Sequence, residues 1–485
     1  MNILNERTVK KENRPIKVIQ YGEGNFLRGF VDYMLDIANE GGYFDGDIML
    51  VKPIEYGNLE YFSQQDCLYT VSLRGLAGGE ETVENRIIKS VAGAVDAYSE
   101  YERYAAFAKS DTLRFVVSNT TEAGIIYDEK DCFESCPPIS YPGKLTKFLY
   151  ERYIYFDGDR NKGLIILPVE LIDDNGKHLK EIVLKLAKQW RLGKEFAAWL
   201  EEACVFCSTL VDRIITGFPK DETEELWKNY GYVDNLIVTG EPFALWVIES
   251  DKEIEDELPL RKAGLPVIFT DNQQPYKQRK VRILNGAHTS FVLASFLAGN
   301  NYVLESMQDK DVKRFMTKTI YKEIIPTLSL PKEDLLSFAD AVTDRFENPY
   351  IKHALLSISL NSVSKWRARC LPSLLAYEKQ FSMLPPRLTF SLAALMEFYS
   401  AKEIRDGALI GHRGDEEYQI RDDKEVLEYF AENSEKDIVP FVDGFLSNSN
   451  LWGQDLTKIP GLAYQVEQDL TDIRIMGIRG VMNKI

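Results

Sequence analysis

A lysine, an asparagine and a histidine lie within nine residues of one another, and their side chains suit the transfer of a proton at a hydroxyl or carbonyl group. They are Lys280, Asn285 and His288. In an α-helix Asn285 and His288 are neighbours at i and i+3, and Lys280 lies within about 140° of both around the axis. A lysine with a lowered pKa can exchange a proton near neutral pH, an asparagine amide can stabilise an alkoxide, and a neutral histidine can orient the oxygen. Taken one by one, a solvated lysine and a structural histidine remain the alternative.

A glycine-rich turn near the N-terminus is typical of dinucleotide-binding proteins. A predicted strand over Lys17–Tyr21 leads into Gly22-Glu23-Gly24 and then into apolar residues with helical spacing. Glycines at this place permit a tight turn and let backbone amides approach a pyrophosphate at the start of the helix. Leu27 replaces the third glycine of the usual pattern, so an ordinary glycine-rich loop is the alternative. We predict that the dinucleotide contacts come from Ile19, Gln20, Gly22, Gly24, Asn25 and Phe26.

The end of the second predicted strand leaves the choice of cofactor open. The strand ends in Leu50-Val51-Lys52-Pro53, without the acidic residue that usually accepts a hydrogen bond from the adenosine ribose of NAD. Lys52 is equally suited to the additional phosphate of NADP. The residues alone therefore predict a dinucleotide without choosing between the two.

Charge and hydropathy exclude several classes of function. The chain has 485 residues and a net charge of -17, which is the wrong sign for sequence-independent binding to nucleic acid. No apolar stretch approaches the roughly 20 residues of a membrane span, and the N-terminus lacks the apolar segment of a secretory signal. We therefore predict a cytoplasmic protein that acts on a small molecule, without nucleic acid or membrane as a partner.

The cysteines and histidines do not form a recognisable metal site. Cys204 and Cys207 have the spacing of zinc or redox pairs, but no second pair or nearby histidine completes a set of ligands. With only four histidines in the chain, a catalytic zinc would need an unusual set of ligands. We predict no metal, and we interpret the pair as free thiols in a buried strand.

The pattern of apolar residues changes near residue 275. Before it, short aliphatic runs alternate with helical patterns, which predicts a parallel sheet with crossover helices. After it, amphipathic helices such as Lys310–Ile325, Lys332–Phe346 and Leu388–Tyr399 dominate. We predict an α/β, Rossmann-like N-terminal domain over residues 1–275, which binds the dinucleotide, and a mainly α-helical C-terminal domain over residues 276–485, which supplies substrate and catalytic residues.

Three motifs together resemble the mannitol dehydrogenase family of polyol-specific long-chain dehydrogenases, over nearly the whole chain. They are the turn Gly22–Arg28, the run Val211-Asp212-Arg213-Ile214, and Lys280 with its partners at Lys-x4-Asn-x2-His spacing. The resemblance implies metal-independent chemistry that depends on NAD. It also implies that Lys280 is the general acid/base, that Asn285 stabilises the oxyanion and that His288 positions the reacting hydroxyl. The family's second asparagine is replaced by Leu171, so Asn285 must act with water or with another group.

Further segments resemble the members of this family that interconvert D-tagaturonate and D-altronate. They are Ser118–Gly124, Tyr141–Thr146, Phe206–Arg213 and Arg345–His353. The resemblance implies a step in hexuronate catabolism. Fructuronate reductase and mannitol 2-dehydrogenase activities remain the enzymatic alternatives, and a non-catalytic dinucleotide-binding sensor is the alternative from another class. The oligomeric state stays open.

A small anionic sugar acid needs a cationic partner for its carboxylate. Asn361, Lys365 and Arg369 share one face of a predicted helix at i, i+4 and i+8. We predict that Lys365 or Arg369 binds the carboxylate. A solvated basic stripe on the surface is the alternative, because charged runs on helices usually face water.

Overall fold

A six-stranded parallel sheet forms the centre of the N-terminal part of the chain. The computed structural model describes residues 1–121 and 123–485; Glu122, in the segment from Ser118 to Gly124, lies outside them. The strands run in the order β3-β2-β1-β4-β5-β6. Their bounds are β1 Ile16–Tyr21, β2 Asp47–Lys52, β3 Val91–Asp96, β4 Phe115–Ser118, β5 Ile165–Pro168 and β6 Val205–Phe206. The order reverses between β1 and β4, which is where doubly wound folds bind their ligands.

Both faces of this sheet are buried. Along β1 the side chain of Val18 belongs to one apolar core and that of Ile19 to another, and on β2 Leu50 and Met49 divide in the same way. Because successive side chains of a strand point to opposite faces, the alternation shows that packed elements cover the sheet on each side. The strands are mostly apolar for this reason.

Two compact units make up the described chain. The first comprises Met1–Arg74 and Glu81–Gln273, and the second comprises Gly75–Glu80 and Gln274–Ile485. Besides the central sheet, the first unit carries a four-stranded sheet, a three-stranded sheet and a two-stranded sheet. Their strands are Ile215–Gly217, Val238–Gly240, Tyr69–Ala77 and Glu80–Ile88; Ser208–Asp212, Leu245–Glu249 and Val267–Thr270; and Asn2–Ile3 with Tyr232–Val233.

The helix after β1 begins at the glycine turn and changes its winding once. It covers residues 25–40 and consists of Asn25–Leu27, a π-helical segment Arg28–Asp32, and Tyr33–Glu40. The other helices of the first unit are Glu60–Gln64, Tyr101–Ala106, Tyr141–Tyr155, Asn175–Gln189, Lys194–Glu202 and Thr223–Tyr230, with short 3-10 segments at Phe107–Lys109 and Arg160–Lys162.

The second unit is mainly helical. Its helix Pro386–Phe398 is buried on nearly all sides and packs against Gly286–Leu297 and Leu462–Met482. A helix that is apolar all round must lie in a core, which explains why the other helices surround it. The remaining helices are Val303–Gln308, Lys310–Lys318, Thr319–Ile324, Ile325–Thr327, Lys332–Phe346, Leu355–Ile358, Ser362–Arg369, Leu371–Phe381, Lys424–Asn433, Ile438–Ser447, Ser449–Trp452 and Leu456–Lys458; a small sheet consists of Ile404–Arg405, Ala408–Arg413 and Glu416–Ile420.

The predicted fold class, α/β and Rossmann-like followed by mainly α-helical, is confirmed. Across the described residues, the model contains no helix with the length and apolar character needed to cross a membrane.

Candidate active site

The glycine turn lies at the carboxyl edge of the central sheet, beside the point where the strand order reverses. Gly22 has φ +120°, and a Cβ atom placed on it would lie 3.1 Å from the carbonyl oxygen of Asn119, the residue that follows β4. Gly24 differs, because a Cβ atom there would have nothing within 4 Å. Gly22 is therefore needed for the path of the chain, whereas Gly24 leaves open space where the helix begins.

Two buried arginines hold this turn and the helix behind it. Arg28 donates to the carbonyl oxygen of Glu23 (3.1 Å), to Oδ1 of Asn25 (2.7 Å) and to the carbonyl oxygen of Leu236. Arg213, from the Val-Asp-Arg-Ile motif, donates to the carbonyl oxygen of Gly29 at 2.9 Å and to two further carbonyl oxygens. Since both guanidinium groups bond backbone, these motif residues fix the shape of the turn.

The other predicted dinucleotide residues surround the same turn. Ile19 and Gln20 are fully buried, and the Gln20 amide donates to the carbonyl oxygen of Gly22 at 3.2 Å. Asn25 is exposed, and Phe26 is half-buried with its ring stacked 5.0 Å from that of Phe30. Gly24 and Asn25 are therefore exposed at the start of the helix. The side chains of Ile19 and Gln20 are buried and support the turn from inside the fold.

Lys52 is engaged in internal contacts. Its Nζ donates to the carbonyl oxygens of Ile54 (2.8 Å), Glu55 (3.1 Å) and Tyr56 (3.3 Å), and it pairs with Asp96 at 3.1 Å. An ammonium group has three protons, so these contacts saturate it. The structure therefore removes the sequence-based argument that Lys52 is available for the additional phosphate of NADP.

In the segment around Leu171, where the sequence departs from the family pattern, the amide side chain of Asn175 is already hydrogen-bonded within the fold. Leu171 is 65% exposed. Its neighbour Glu170 is buried and accepts hydrogen bonds from Ser118 and Thr120. The amide of Asn175 is buried and donates to carbonyl oxygens of Pro168, Glu170 and Thr209. The side chains of Glu170 and Asn175 therefore connect the end of β5 to neighbouring segments, and these contacts occupy their hydrogen-bonding groups.

Lys280 and Asn285 mark the two ends of a π-helical segment. The helix over residues 274–297 consists of Gln274–Arg279, the π-helical segment Lys280–Asn285 and Gly286–Leu297. In an α-helix two residues five positions apart differ by about 140° around the axis. The i→i+5 hydrogen bonds of a π-helix widen the turn, so residues five apart lie closer to one face. The π-helical segment therefore places Lys280 and Asn285 closer to one face of the helix than the α-helical spacing predicts. Both residues are half-buried.

His288 lies in an apolar and cationic environment. Its ring is 4.2 Å from that of Phe346, and its Nε2 is buried without a hydrogen-bond partner among the described residues. Burial lowers the pKa of His288 well below its usual value, and the nearby charges of His353, Arg345, Arg369 and Lys365 lower it further. The imidazole is therefore neutral at physiological pH and can accept or donate a hydrogen bond.

Lys365 and Arg369 project from the helix Ser362–Arg369 in the same unit. Lys365 Nζ donates to the carbonyl oxygen of Ile358 at 3.0 Å, and Arg369 Nη1 lies 3.4 Å from Oγ1 of Thr289. Within the described part of the chain, neither cation forms an ion pair with a carboxylate. Both side chains are half-buried, and burial is the main cause that lowers the pKa of each.

A close backbone approach keeps Arg369 near the helix over residues 274–297. A Cβ atom on Gly286 would lie 3.2 Å from the carbonyl oxygen of Arg369, so any larger residue would require the two helices to shift by a few tenths of an ångström. Gly286 follows Asn285 directly. The glycine thereby couples the position of the predicted oxyanion residue to that of the predicted carboxylate residue.

Two residues near His288 were missed in the choice of site residues. His353 and Arg345 both lie in the segment Arg345–His353, which was used for the family resemblance and for nothing else. The His353 ring lies 5.6 Å from that of His288, and Arg345 is buried. The only signal in the sequence was the density of basic residues in that segment.

The two cysteines with metal-site spacing lie inside the first unit. Cys204 and Cys207 are buried free thiols, and burial raises their pKa to about 11 and about 12. Among residues 1–121 and 123–485 no group of three or more histidine, cysteine or acidic side chains is placed to hold a metal ion.

Comparison with known proteins covers the whole chain. Residues 16–262 match the mannitol dehydrogenase Rossmann domain, and residues 272–474 match the mannitol dehydrogenase C-terminal domain. An altronate oxidoreductase of Enterobacter sp. (strain 638) is 46% identical over 492 residues, covering 100% of both chains. An altronate oxidoreductase of Escherichia coli O7:K1 (strain IAI39 / ExPEC) is 46% identical over 486 residues, covering 99% of each.

Solved structures show the same fold at lower identity. A D-sorbitol dehydrogenase in substrate-free form has a TM-score of 0.79 at 21% identity, over 99% of this chain and 100% of that one. Pseudomonas fluorescens mannitol 2-dehydrogenase, in a ternary complex with NAD and D-mannitol, has a TM-score of 0.66 at 20% identity, over 100% and 99%. The family predicted from the sequence motifs is confirmed: the chain belongs to the mannitol dehydrogenase family, and relatives that match it over the full length include altronate oxidoreductases.

Proposed function

We propose that the protein is an NAD-dependent oxidoreductase that interconverts D-tagaturonate and D-altronate. Residues 1–275 bind the dinucleotide, and residues 276–485 supply the catalytic and substrate-binding side chains. The cationic surroundings of His288 carry the proposal, because a sugar acid differs from a polyol by a carboxylate that needs such partners. The relatives named altronate oxidoreductases support the same substrate.

The geometry of the glycine turn fits a dinucleotide. The open space at Gly24 admits a pyrophosphate, and the backbone amides at the start of the helix point toward it. The edge of the sheet beside Lys52 also carries Glu23, Glu55 and Asp96, and this local negative charge opposes a second phosphate on the ribose. We therefore assign NAD in preference to NADP; when bound, NADH supplies the hydride to the carbonyl carbon of the substrate.

Lys280 is the proposed general acid in the reduction and the general base in the oxidation. Negative charge develops on the carbonyl oxygen during the reduction, and the Lys280 ammonium donates a proton to that oxygen. The Asn285 amide, one π-helical turn along, donates a hydrogen bond to the same oxygen. Since Leu171 offers no amide, Asn285 acts with water or with another group.

The proposed roles of His288, Lys365 and Arg369 are to position the substrate. A neutral His288 accepts or donates a hydrogen bond at the reacting hydroxyl, and its unpartnered Nε2 is the atom available for it. Lys365 and Arg369 bind the carboxylate, because neither forms a close ion pair with an acidic side chain among the described residues. Binding energy from the carboxylate thus orients the carbonyl at the other end of the sugar.

A side-by-side assay tests the substrate and the cofactor together. D-tagaturonate, D-fructuronate and D-fructose are each assayed with NADH and with NADPH, and the ratio kcat/KM is compared. We expect the highest value for tagaturonate with NADH. A higher value for fructuronate or fructose would reassign the substrate, and saturable NADH binding without substrate-dependent oxidation of NADH would make the protein a dinucleotide-binding sensor.

A further inference from the structure

His353 has a fixed backbone and a ring without hydrogen bonds. Its carbonyl oxygen accepts from the amide of Val303 at 3.0 Å, and its amide donates to the carbonyl oxygen of Ile351 at 3.2 Å. The next residue, Ala354, forms a β-bridge with Tyr302. The imidazole itself makes no hydrogen bond to any residue that the structure describes. The backbone around His353 is therefore held in place, and the ring nitrogens have no hydrogen-bond partner among the described residues.

The charged group that acts on His353 among the described residues is basic, and Asp422 acts on the neighbouring Lys365. His288 on the helix over residues 274–297 lies 5.6 Å away between ring centroids, and Lys365 on Ser362–Arg369 is close enough to act on it electrostatically. Arg345 and Arg369 act on the adjoining His288. Burial and the Lys365 charge lower the pKa of His353, so the half-buried ring is neutral when no anion is present. An anion bound beside Lys365 would reverse this effect, because it favours the charged imidazolium.

We propose that His353 is a further substrate-binding residue, which donates a hydrogen bond to the carboxylate of the sugar acid beside Lys365 and so selects carboxylated over neutral substrates. This inference rests on the proposed function and adds His353 to the substrate-binding residues named there. The two histidines then have separate tasks: His288 contacts the reacting hydroxyl, and His353 contacts the charged end of the substrate. Their distance of 5.6 Å between ring centroids suits neighbouring contacts along one sugar chain.

The test compares His353→Gln with His412→Gln, which replaces an exposed histidine of the same unit. Glutamine keeps a hydrogen-bonding side chain but cannot become a cation. The glutamine amide can still donate to the carboxylate, so the variant loses only the attraction between the imidazolium and the carboxylate, which amounts to about tenfold or more in affinity. We expect the KM for D-tagaturonate to rise about tenfold in His353→Gln with kcat within about twofold, because binding is lost equally in the ground and transition states. His412→Gln should match the parent.

Inhibition by the neutral polyol D-altritol, compared with that by D-altronate, shows whether the effect depends on the carboxylate. In His353→Gln, inhibition by altronate should weaken about tenfold and inhibition by altritol should stay unchanged. A KM within twofold of the parent, or equal weakening of both inhibitors, would overturn the assignment of His353. Thermal unfolding and NADH titration verify folding, and His353→Asn provides a smaller replacement if the glutamine variant unfolds. A parent enzyme that fails to reduce tagaturonate would instead overturn the proposed function.

Discussion

Replacing Lys52 with methionine tests the finding that this lysine shapes the edge of the dinucleotide site from within. The Lys52 side chain is 0% exposed, and its Nζ contacts three carbonyl oxygens and the Asp96 carboxylate. Methionine fills a similar volume but leaves all four acceptors without this donor. Removing one partner of a buried pair costs about 3–5 kcal/mol. Because Asp96 is 20% exposed and can regain water, we expect the lower end, about 3 kcal/mol.

Such a loss should appear first in the loop after β3, where the amides of residues 97–100 donate to the Lys52 carbonyl oxygen or to Asp96. A local destabilisation of about 3 kcal/mol corresponds to an exchange rate about 100-fold faster for these amides. Hydrogen exchange followed by mass spectrometry of peptides from this loop measures it. Lys188→Met, at an exposed lysine of the same unit, is the matched control and should leave the loop unchanged.

Dinucleotide titrations of the same variants separate a structural lysine from a phosphate-binding one. If Lys52 acts only by shaping the loop, the Kd values of NADH and NADPH should rise by factors that agree within about threefold. A lysine in contact with the ribose phosphate would lose about tenfold or more in NADPH affinity alone. Selective loss of NADPH binding, or an unchanged exchange rate over residues 97–100, would refute this account of Lys52.

Further predictions concern the turn and the helix behind it. Gly22→Ala should lower stability by about 1–3 kcal/mol, because φ is +120° and the new methyl group meets Asn119, whereas Gly24→Ala should fold like the parent and weaken NADH binding about tenfold; thermal unfolding and fluorescence titration distinguish them. Burial raises the pKa of Asp32 from 3.8 to about 7, so its destabilising contribution grows as the pH rises from about 4 to about 7 and is complete above that. The free energy of unfolding of Asp32→Asn relative to the parent, measured by urea denaturation, should therefore increase by about 2–3 kcal/mol between pH 5 and pH 8, and a constant difference would contradict the buried carboxyl.

Much of the fold could be predicted because burial imposes a pattern on the sequence. The helix Lys332–Phe346 was predicted with the bounds that the structure has, and β1 differs from its prediction by one residue. The strand Glu80–Ile88 was not predicted, because most of its residues are exposed and polar and show no apolar alternation. Alternation of apolar and polar residues reveals a strand only if one of its faces is buried, and the strand Glu80–Ile88 buries few of its side chains.

The site was less predictable, because it depends on contacts between distant segments. A lysine at the end of β2 suits a phosphate by its chemistry alone, and only the structure shows that Asp96 and three carbonyl oxygens surround it. The π-helical segment between Lys280 and Asn285 has no signal in the residue types, so the α-helical angle was assumed. His353 was missed for the same reason, since its ring meets His288 across a sequence separation of 65 residues.

The single-turnover rate of hydride transfer in Lys280→Met tests the central claim, that Lys280 supplies the proton to the substrate oxygen. The parent and the variant are mixed with NADH and saturating D-tagaturonate, and the loss of NADH fluorescence is followed in a stopped-flow instrument. We expect the rate to fall by about 10² to 10⁴, with the Kd of NADH changed by less than about twofold. A rate within a few fold of the parent would contradict the claim.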